Sequence, residues 1–157
     1  MELNGEKFVL SLNTARKALQ TTDHLVYVTF PMLKEQRLLL KSLEELQDAI
    51  LNIINAILQF EAYNKRIQIS SDAKENFETF KRIAPSYNIT LNHIDKIMEI
   101  LKIADQHKKS PFEFVKNDKI IIMGDGFKTE ILSMDKMKNY IIEIKDLLRK
   151  ATIKINL

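Results

Sequence analysis

An apolar series through the middle of the chain constrains the fold more than any other feature. Apolar residues recur there at alternating steps of four and three positions, at Leu39, Leu43, Leu46, Ile50, Ile53, Ile57 and Phe60. Such steps place side chains on one face of an α-helix. Further apolar residues, Leu40, Leu51, Ile54 and Leu58, widen this face beyond the narrow seam of a two-stranded coiled coil. The sequence therefore predicts a helix over about residues 34–63, roughly 45 Å long, at the centre of a helical bundle.

The segment before this helix predicts another long helix. Its apolar residues again step by four and three, at Phe8, Leu12, Ala15 and Leu19. Residues 25–28 read Leu-Val-Tyr-Val and allow a second interpretation as a short strand, but they do not alternate and no turn precedes them. We therefore predict one helix from about Gly5 to the Thr29 region. It should end at Pro31, because proline lacks an amide hydrogen and disfavours helical backbone at the residue before it.

Capping residues predict where three later helices begin. Asp72 and Glu75 have the spacing of a capping box. A short helix is therefore predicted to start at Asp72 and to stop at Pro85. Thr90 is predicted to start a longer helix that ends at residues 110–111, and Ser133 to cap the last helix. Only 3 Gly and 3 Pro occur in the 157 residues, which favours long helices joined by few turns.

Residues 119–132 have a different pattern. An apolar run from Ile120 to Met123 is followed by Gly-Asp-Gly at residues 124–126, and apolar and polar residues then alternate to Leu132. This pattern predicts a small β-hairpin over about residues 119–132. No repeat or long linker divides the chain. We therefore predict one mainly all-α domain over residues 1–157, an antiparallel bundle of four long helices and one short helix, with the hairpin before the C-terminal helix.

Several kinds of chemistry lack the residues they need. The chain has no cysteine, its three histidines lie at positions 24, 93 and 107, and its three glycines at 5, 124 and 126. We therefore predict no disulfide, no metal site, no glycine-rich phosphate loop and no cofactor. The first residues do not have the pattern of a signal peptide, and the longest apolar stretch, residues 49–60, is too short to span a membrane. We expect a soluble, cytoplasmic protein without a membrane partner.

Positive charge is concentrated in the C-terminal third. Residues 101–157 contain 12 Lys and Arg against 8 Asp and Glu, whereas residues 1–100 contain 12 against 13. Clustered cations suit a phosphate backbone, and phenylalanines beside them offer faces on which bases stack. The candidate binding residues are Lys102, His107, Lys108, Lys109, Phe112, Phe114, Lys116 and Lys119. The alternative is an ordinary solvated surface, since acidic residues are interleaved with these cations.

The stretch from Lys102 to His107, near the end of the helix before the last one, resembles the motif of the HEPN superfamily of helical-bundle proteins. Active members of that family carry an arginine, usually followed by a polar residue, and a histidine four to six residues beyond the arginine; they cut RNA without a metal. Here Lys102 replaces the arginine and Ile103 the polar residue. The resemblance implies a helical bundle and, for an active member, proton transfer by His107 and charge stabilisation by Lys102.

The spacing of this motif sets a geometric condition. Side chains five residues apart on one helix are about 140° apart around its axis. We therefore expect Lys102 and His107 to share a face only if the helix frays or ends before His107, and to form a paired site otherwise only if a second subunit completes it.

The leading functional hypothesis is a non-enzymatic, HEPN-like binding protein that engages RNA or another polyanion, with no catalytic residue assigned. The alternative is a metal-independent endoribonuclease in which Lys102 and His107 are catalytic. A third hypothesis is a purely structural protein–protein interaction module. A homodimer is also predicted, because the wide apolar face of the central helix exceeds what short neighbours cover. The other possibility is that the remaining helices of the same chain cover that face.

Overall fold

The N-terminal helical segment passes through Pro31 instead of ending there. The computed structural model describes residues 2–110, 112–124 and 128–155, and helix α1 occupies Glu2–His24. A π-helical turn follows at Leu25–Thr29, and then one α-helical turn, α2, at Phe30–Leu33. The helical interpretation of residues 25–28 is therefore confirmed, and the predicted end at Pro31 is wrong. Pro31 directly follows the wider π-helical turn, in which the Phe30 N–H donates to the Leu25 carbonyl, and such irregular turns accommodate a proline within a continuous helical path.

The predicted central helix is present as α3, Arg37–Tyr63. Six of the seven residues of its predicted apolar series are fully buried, and Phe60 is partly buried against the same core. Helix α1 packs along α3, and the later helices contact its remaining sides. Of the residues that widen the apolar face, Leu51 is exposed, whereas Ile54 and Leu58 are buried. The helices of one chain thus cover most of this face, and the homodimer stays a prediction.

The middle of the chain forms two capped helices. Helix α4 occupies Ala73–Ile83, and the Asp72 side chain accepts a hydrogen bond from the backbone N–H of Lys74. The Glu75 carboxylate accepts from the Ser70 hydroxyl, so the predicted capping box is wrong in its second half. A 3-10 turn at Ala84–Tyr87 leads to helix α5, Leu91–Lys109. Thr90 caps α5 as predicted, and α5 ends just before Ser110.

In the described part of the chain between α5 and the last helix there are three antiparallel strands, one more than predicted. They are β1 (Phe112–Lys116), β2 (Lys119–Met123) and β3 (Thr129–Leu132), in the order β1-β2-β3. The predicted hairpin corresponds to β2 and β3, and part of its glycine turn, residues 125–127, lies outside the described residues. The added strand β1 joins β2 through Asn117 and Asp118, whose φ angles are 52° and 62°. Positive φ at both central residues is the geometry of a tight type I′ hairpin turn.

The last helix, α6, occupies Met134–Ile155 and closes the core. Its first turn is capped as predicted, since the backbone N–H of Lys136 donates to the Ser133 hydroxyl at 3.2 Å. It contacts α1, α3 and α5. None of the helices in the described part of the chain has both the length and the apolar character needed to cross a membrane.

Candidate nucleic-acid interface

The strand alternation gives the small sheet two chemically different faces. Residues paired across antiparallel strands lie on the same face, and successive residues of one strand lie on opposite faces. The ladder pairs Phe112 with Met123, Phe114 with Ile121, and Lys116 with Lys119. It also pairs Ile121 with Ile131 and Met123 with Thr129, which adds β3 to the same face. We call this face, made of Phe112, Phe114, Lys116, Lys119, Ile121, Met123, Thr129 and Ile131, the outer face.

The opposite face, which we call the inner face, packs against the helices. Three of its apolar residues, Ile120, Ile122 and Leu132, are buried, whereas Val115 at the end near the β1–β2 turn is exposed. Its two glutamates, Glu113 and Glu130, are both paired with Ile122 in the ladder, so they lie in one row across the sheet. Alternation has thus placed the acidic residues of the described strands towards the helices.

His107 connects this acidic row to the helices. Its Nδ1 atom lies 2.6 Å from a carboxylate oxygen of Glu113, and its Nε2 atom lies 3.1 Å from a carboxylate oxygen of Glu44 on α3. Only 16% of the His107 side chain is exposed. With both ring nitrogens engaged, His107 joins the sheet to two helices, and proton transfer to a substrate would first require one carboxylate to leave.

Lys102 makes the corresponding contact with the other glutamate of the row. Its Nζ atom lies 3.3 Å from a carboxylate oxygen of Glu130. Tyr140 of α6 is buried in the same region, and this burial, with the nearby Glu99 carboxylate, raises its pKa well above the usual range. The inner face therefore contacts α5 through His107–Glu113 and Lys102–Glu130, beside the buried Tyr140.

The extent of α5 decides whether Lys102 and His107 can lie on the same face of the helix. Helix α5 continues to Lys109, so the two side chains lie on one uninterrupted helix and point about 140° apart. Each is bound to a different glutamate of the sheet. The helix therefore does not end before His107, and the two side chains contact the sheet at separate glutamates.

The outer face carries exposed aromatic and aliphatic side chains. Phe112 is 67% exposed, Phe114 is 45% exposed and Ile131 is 43% exposed. Ile121 and Met123 between them are partly exposed. Isolated exposed apolar residues are ordinary, but several that adjoin on one sheet face form a patch, and such patches commonly bind a partner.

Positive charge lies at one end of this apolar patch. Lys116 and Lys119 are cross-strand partners beside the β1–β2 turn, and both are exposed. Among the described strand residues of the outer face there is no carboxylate, since Glu113 and Glu130 are on the inner face. The nearest acidic residue in sequence is Asp118, within the turn. The outer face thus combines aromatic surface with two lysines and, among its described strand residues, no carboxylate.

The remaining predicted residues lie at the end of α5. Lys108 and Lys109 are exposed in its last turn, and Lys109 pairs with Asp105 at 3.1 Å. The candidate residues therefore fall into three groups: an outer-face group, the exposed end of α5, and the inner pair Lys102 and His107. The sequence reasoning missed Ile121, Met123 and Ile131 on the outer face, because β1 was not predicted and the ladder could not be drawn.

A metal site and a known relative are two further sources of evidence on function. Among the residues that the structure describes, no three or more histidine and acidic side chains are placed to hold a metal ion. Comparison with protein-family models, curated proteins and solved structures gave no match. The function is therefore argued from the residues of this chain.

Proposed function

We propose that this chain is a non-enzymatic binding protein that engages single-stranded RNA through the outer face of its sheet. In this proposal the long helices α1, α3, α5 and α6 form a HEPN-like bundle that acts as a rigid support, and the protein acts in the cytoplasm. The observation that carries the proposal is the separation of side chains by the ladder, with exposed phenylalanines and lysines on one face and glutamates on the other.

The physical argument rests on two kinds of contact. Each base stacked on an aromatic side chain contributes about 1–3 kcal/mol, with little sequence preference. Phe112 and Phe114 are two residues apart on β1, so they present successive ring surfaces along one strand. Lys116 and Lys119 continue the same face and would contact the phosphates that follow the stacked bases, releasing counterions. Another polyanion would use the lysines but not the phenylalanines.

The test is binding of a fluorescently labelled single-stranded RNA, measured by anisotropy for the wild type and the double variant Phe112→Ala, Phe114→Ala. We expect the variant to bind at least about tenfold more weakly, because two stacking surfaces are lost. Tyr63→Ala is the matched control, since Tyr63 is 43% exposed at the end of α3, about 28 Å along the helix from Glu44, the α3 residue that contacts His107 near the sheet. Equal weakening by the control, or no binding by the wild type, would overturn the proposal.

The other hypotheses predict different outcomes in the same experiment. A HEPN-type endoribonuclease would convert the RNA to fragments, and His107→Ala would abolish that cleavage; engagement of His107 by Glu113 and Glu44 weighs against it. A protein–protein interaction module would leave the RNA unbound. A homodimer is compatible with RNA binding and would be seen as a doubled mass in sedimentation.

A further inference from the structure

A second charged site lies near the opposite end of α6 from the sheet. A cavity of about 450 Å³ is bounded by the turn at residues 86–88 and by the last two turns of α6. Three of its lining side chains are cationic, Arg149, Lys150 and Lys154, and none is acidic. A cavity of this size is in the range that holds small ligands. Nothing in the RNA-binding proposal uses it.

The three cations are held in place by neighbouring acceptors. Lys150 Nζ donates to the backbone carbonyl of Asn88 at 2.6 Å. Lys154 Nζ donates to the carbonyl of Ser86 at 2.7 Å and lies 4.6 Å from the centre of the Tyr87 ring. These contacts fix the ammonium groups beside the turn, so little side-chain entropy remains to be lost when a ligand binds.

The third cation is fixed from its own helix. Arg149 donates through Nε and Nη2 to one carboxylate oxygen of Asp146, at 3.1 and 2.5 Å. The other Asp146 oxygen faces His93 Nε2 at 2.8 Å and Lys150 Nζ at 3.4 Å. Asp146 thus holds Arg149 and Lys150 in place. Its single negative charge offsets only one of the three cations, so the cavity keeps a net positive charge.

Each cation retains hydrogen-bond donors beyond those used for anchoring. A lysine ammonium has three N–H donors and an arginine guanidinium has five. Lys154 Nζ donates to the Ser86 carbonyl, and Arg149 uses two of its three nitrogens on Asp146. A carboxylate ligand has one charge and two oxygens, whereas a phosphomonoester has about −1.5 to −2 charges and three terminal oxygens, which matches three cations better.

We infer that the cavity between the turn at residues 86–88 and Arg149, Lys150 and Lys154 binds a phosphomonoester group. The group belongs to a free nucleotide-sized molecule or to the 5′ end of an RNA, and the chemistry of recognition is the same for both. This site shares no residue with the outer face of the sheet. Phosphate binding here can therefore be tested independently of the proposed RNA binding to the sheet.

The test adds a negative charge to the cavity without removing any anchored cation. Ile153 lines the cavity and is 50% exposed, so Ile153→Glu should fold. Ile142 is 60% exposed on the same face of α6, eleven residues earlier and outside the cavity lining, a separation of about 16 Å along the helix. A charge at that distance is largely screened at physiological salt. Ile142→Glu is therefore the control of equal net charge.

The measurement is titration of the full chain with inorganic phosphate and with adenosine monophosphate, followed by amide chemical shifts at residues 86–88 and 149–154. We expect saturable shifts in the wild type and in Ile142→Glu, and binding at least about fivefold weaker in Ile153→Glu. A triple variant, Arg149→Gln, Lys150→Gln, Lys154→Gln, should lose the shifts altogether. The inference is overturned if the wild type gives no saturable shift, or if Ile153→Glu and Ile142→Glu bind equally.

A second comparison distinguishes the two sources of the phosphate. Short RNAs of one sequence with a 5′-phosphate or a 5′-hydroxyl are titrated in parallel. Tighter binding of the 5′-phosphorylated RNA, removed by Ile153→Glu but not by Phe112→Ala, assigns the site to RNA ends. Binding of adenosine monophosphate without a difference between the two RNAs assigns it to a free nucleotide. The inference is overturned if adenosine monophosphate does not bind and the two RNAs bind equally.

Discussion

His107 and His93 are both fixed by partners on each ring nitrogen. His107 lies between Glu113 and Glu44, and His93 lies between the Thr90 hydroxyl and Asp146. In each case the ring joins an element close in sequence to one that is distant. Partly buried polar groups of this kind are costly to leave unpaired. These histidines therefore act as attachment points between elements.

Replacement of His107 tests this role. His107→Gln should lower the free energy of unfolding by about 1–3 kcal/mol, because the largely buried Glu113 loses its hydrogen-bond partner. Urea denaturation followed by circular dichroism measures the change. His24→Gln is the control, since His24 is exposed at the end of α1. An unchanged midpoint for His107→Gln would contradict the structural role.

Asp146 should make stability depend on pH in the acid range. The hydrogen bond from Arg149, helped by His93 and Lys150, lowers the pKa of Asp146 to about 2 from 3.8. Because the folded-state pKa is the lower one, ionised Asp146 stabilises the fold above about pH 4, and this contribution is lost as the pH falls towards 2.

The variant Asp146→Asn removes this contribution. We expect it to be less stable than the wild type by about 1 kcal/mol at pH 7, a value reduced for the partial exposure of the carboxylate, and the difference should shrink between pH 4 and pH 2. Thermal unfolding across this range measures it. Asp105→Asn, at an exposed carboxylate on α5, is the control. A difference that stays constant with pH would contradict the assignment.

The lysines of the outer face should determine the salt dependence of RNA binding. Single-stranded nucleic acid binding weakens with salt by a slope of about 0.7 per phosphate contact, so Lys116→Gln with Lys119→Gln should reduce the slope by about 1.4. Anisotropy titrations at several salt concentrations measure it. Lys17→Gln with Lys74→Gln, two exposed lysines on α1 and α4, is the control of equal charge. An unchanged slope in the Lys116 and Lys119 variant would remove these residues from the interface.

At the scale of elements, the sequence predicted helices more completely than strands. Helix α3 was predicted because its apolar residues repeat over about six turns, and Thr90 and Ser133 marked the starts of α5 and α6 through their hydroxyl caps. Strand β1 was missed because both of its faces are largely exposed, so its five residues lack a contrast between a buried and an exposed side. Its turn also contains no glycine.

That turn offers a direct test of the β1–β2 pairing. Asp118 has a φ of 62°, which glycine adopts without the steric cost of a Cβ atom. Asp118→Gly should stabilise the hairpin by about 0.5 kcal/mol and slow amide hydrogen exchange in β1 and β2, whereas Asp118→Ala should have the opposite effect. Hydrogen exchange measured by nuclear magnetic resonance checks both. Equal exchange in the two variants would contradict the turn geometry.

The sequence predicted only part of the candidate site, because the arrangement of the site depends on strand pairing. Its residue types were visible in the sequence, since Phe112, Phe114, Lys116 and Lys119 are close together. The division into an outer and an inner face needed the ladder, because it depends on which residues are paired across strands. The role of Glu44 could not be predicted, since it lies 63 residues from His107 and no local pattern connects them.

At the scale of the whole molecule, α3 is the element on which the others depend. It contacts α1, α4, α5 and α6, and its apolar series is buried along its length. The strands of the sheet add only Ile120, Ile122 and Leu132 to the buried core, and β2 contacts α5. Loss of core packing should therefore unfold the whole chain, whereas damage to the sheet should remain local.

A pair of substitutions on α3 separates buried from exposed positions. Ile53 is fully buried, and Ile53→Ala should cost about 2–5 kcal/mol, because it removes apolar contact and leaves a cavity. Leu51, two residues away, is 43% exposed, and Leu51→Ala should cost less than about 1 kcal/mol. Chemical denaturation measures both. Similar costs at the two positions would contradict the placement of α3 at the centre.

The row formed by Glu113, Ile122 and Glu130 also limits how the strands can align. A slip of β1 by one residue along β2 would turn Phe112 and Phe114 towards α5 and Glu113 towards solvent. In that alignment His107 would lose its Glu113 partner and face an aromatic ring. The contacts of Glu113 and Glu130 on the inner face therefore favour one alignment of the strands over its neighbours, and thereby decide which side chains the sheet presents to the outside.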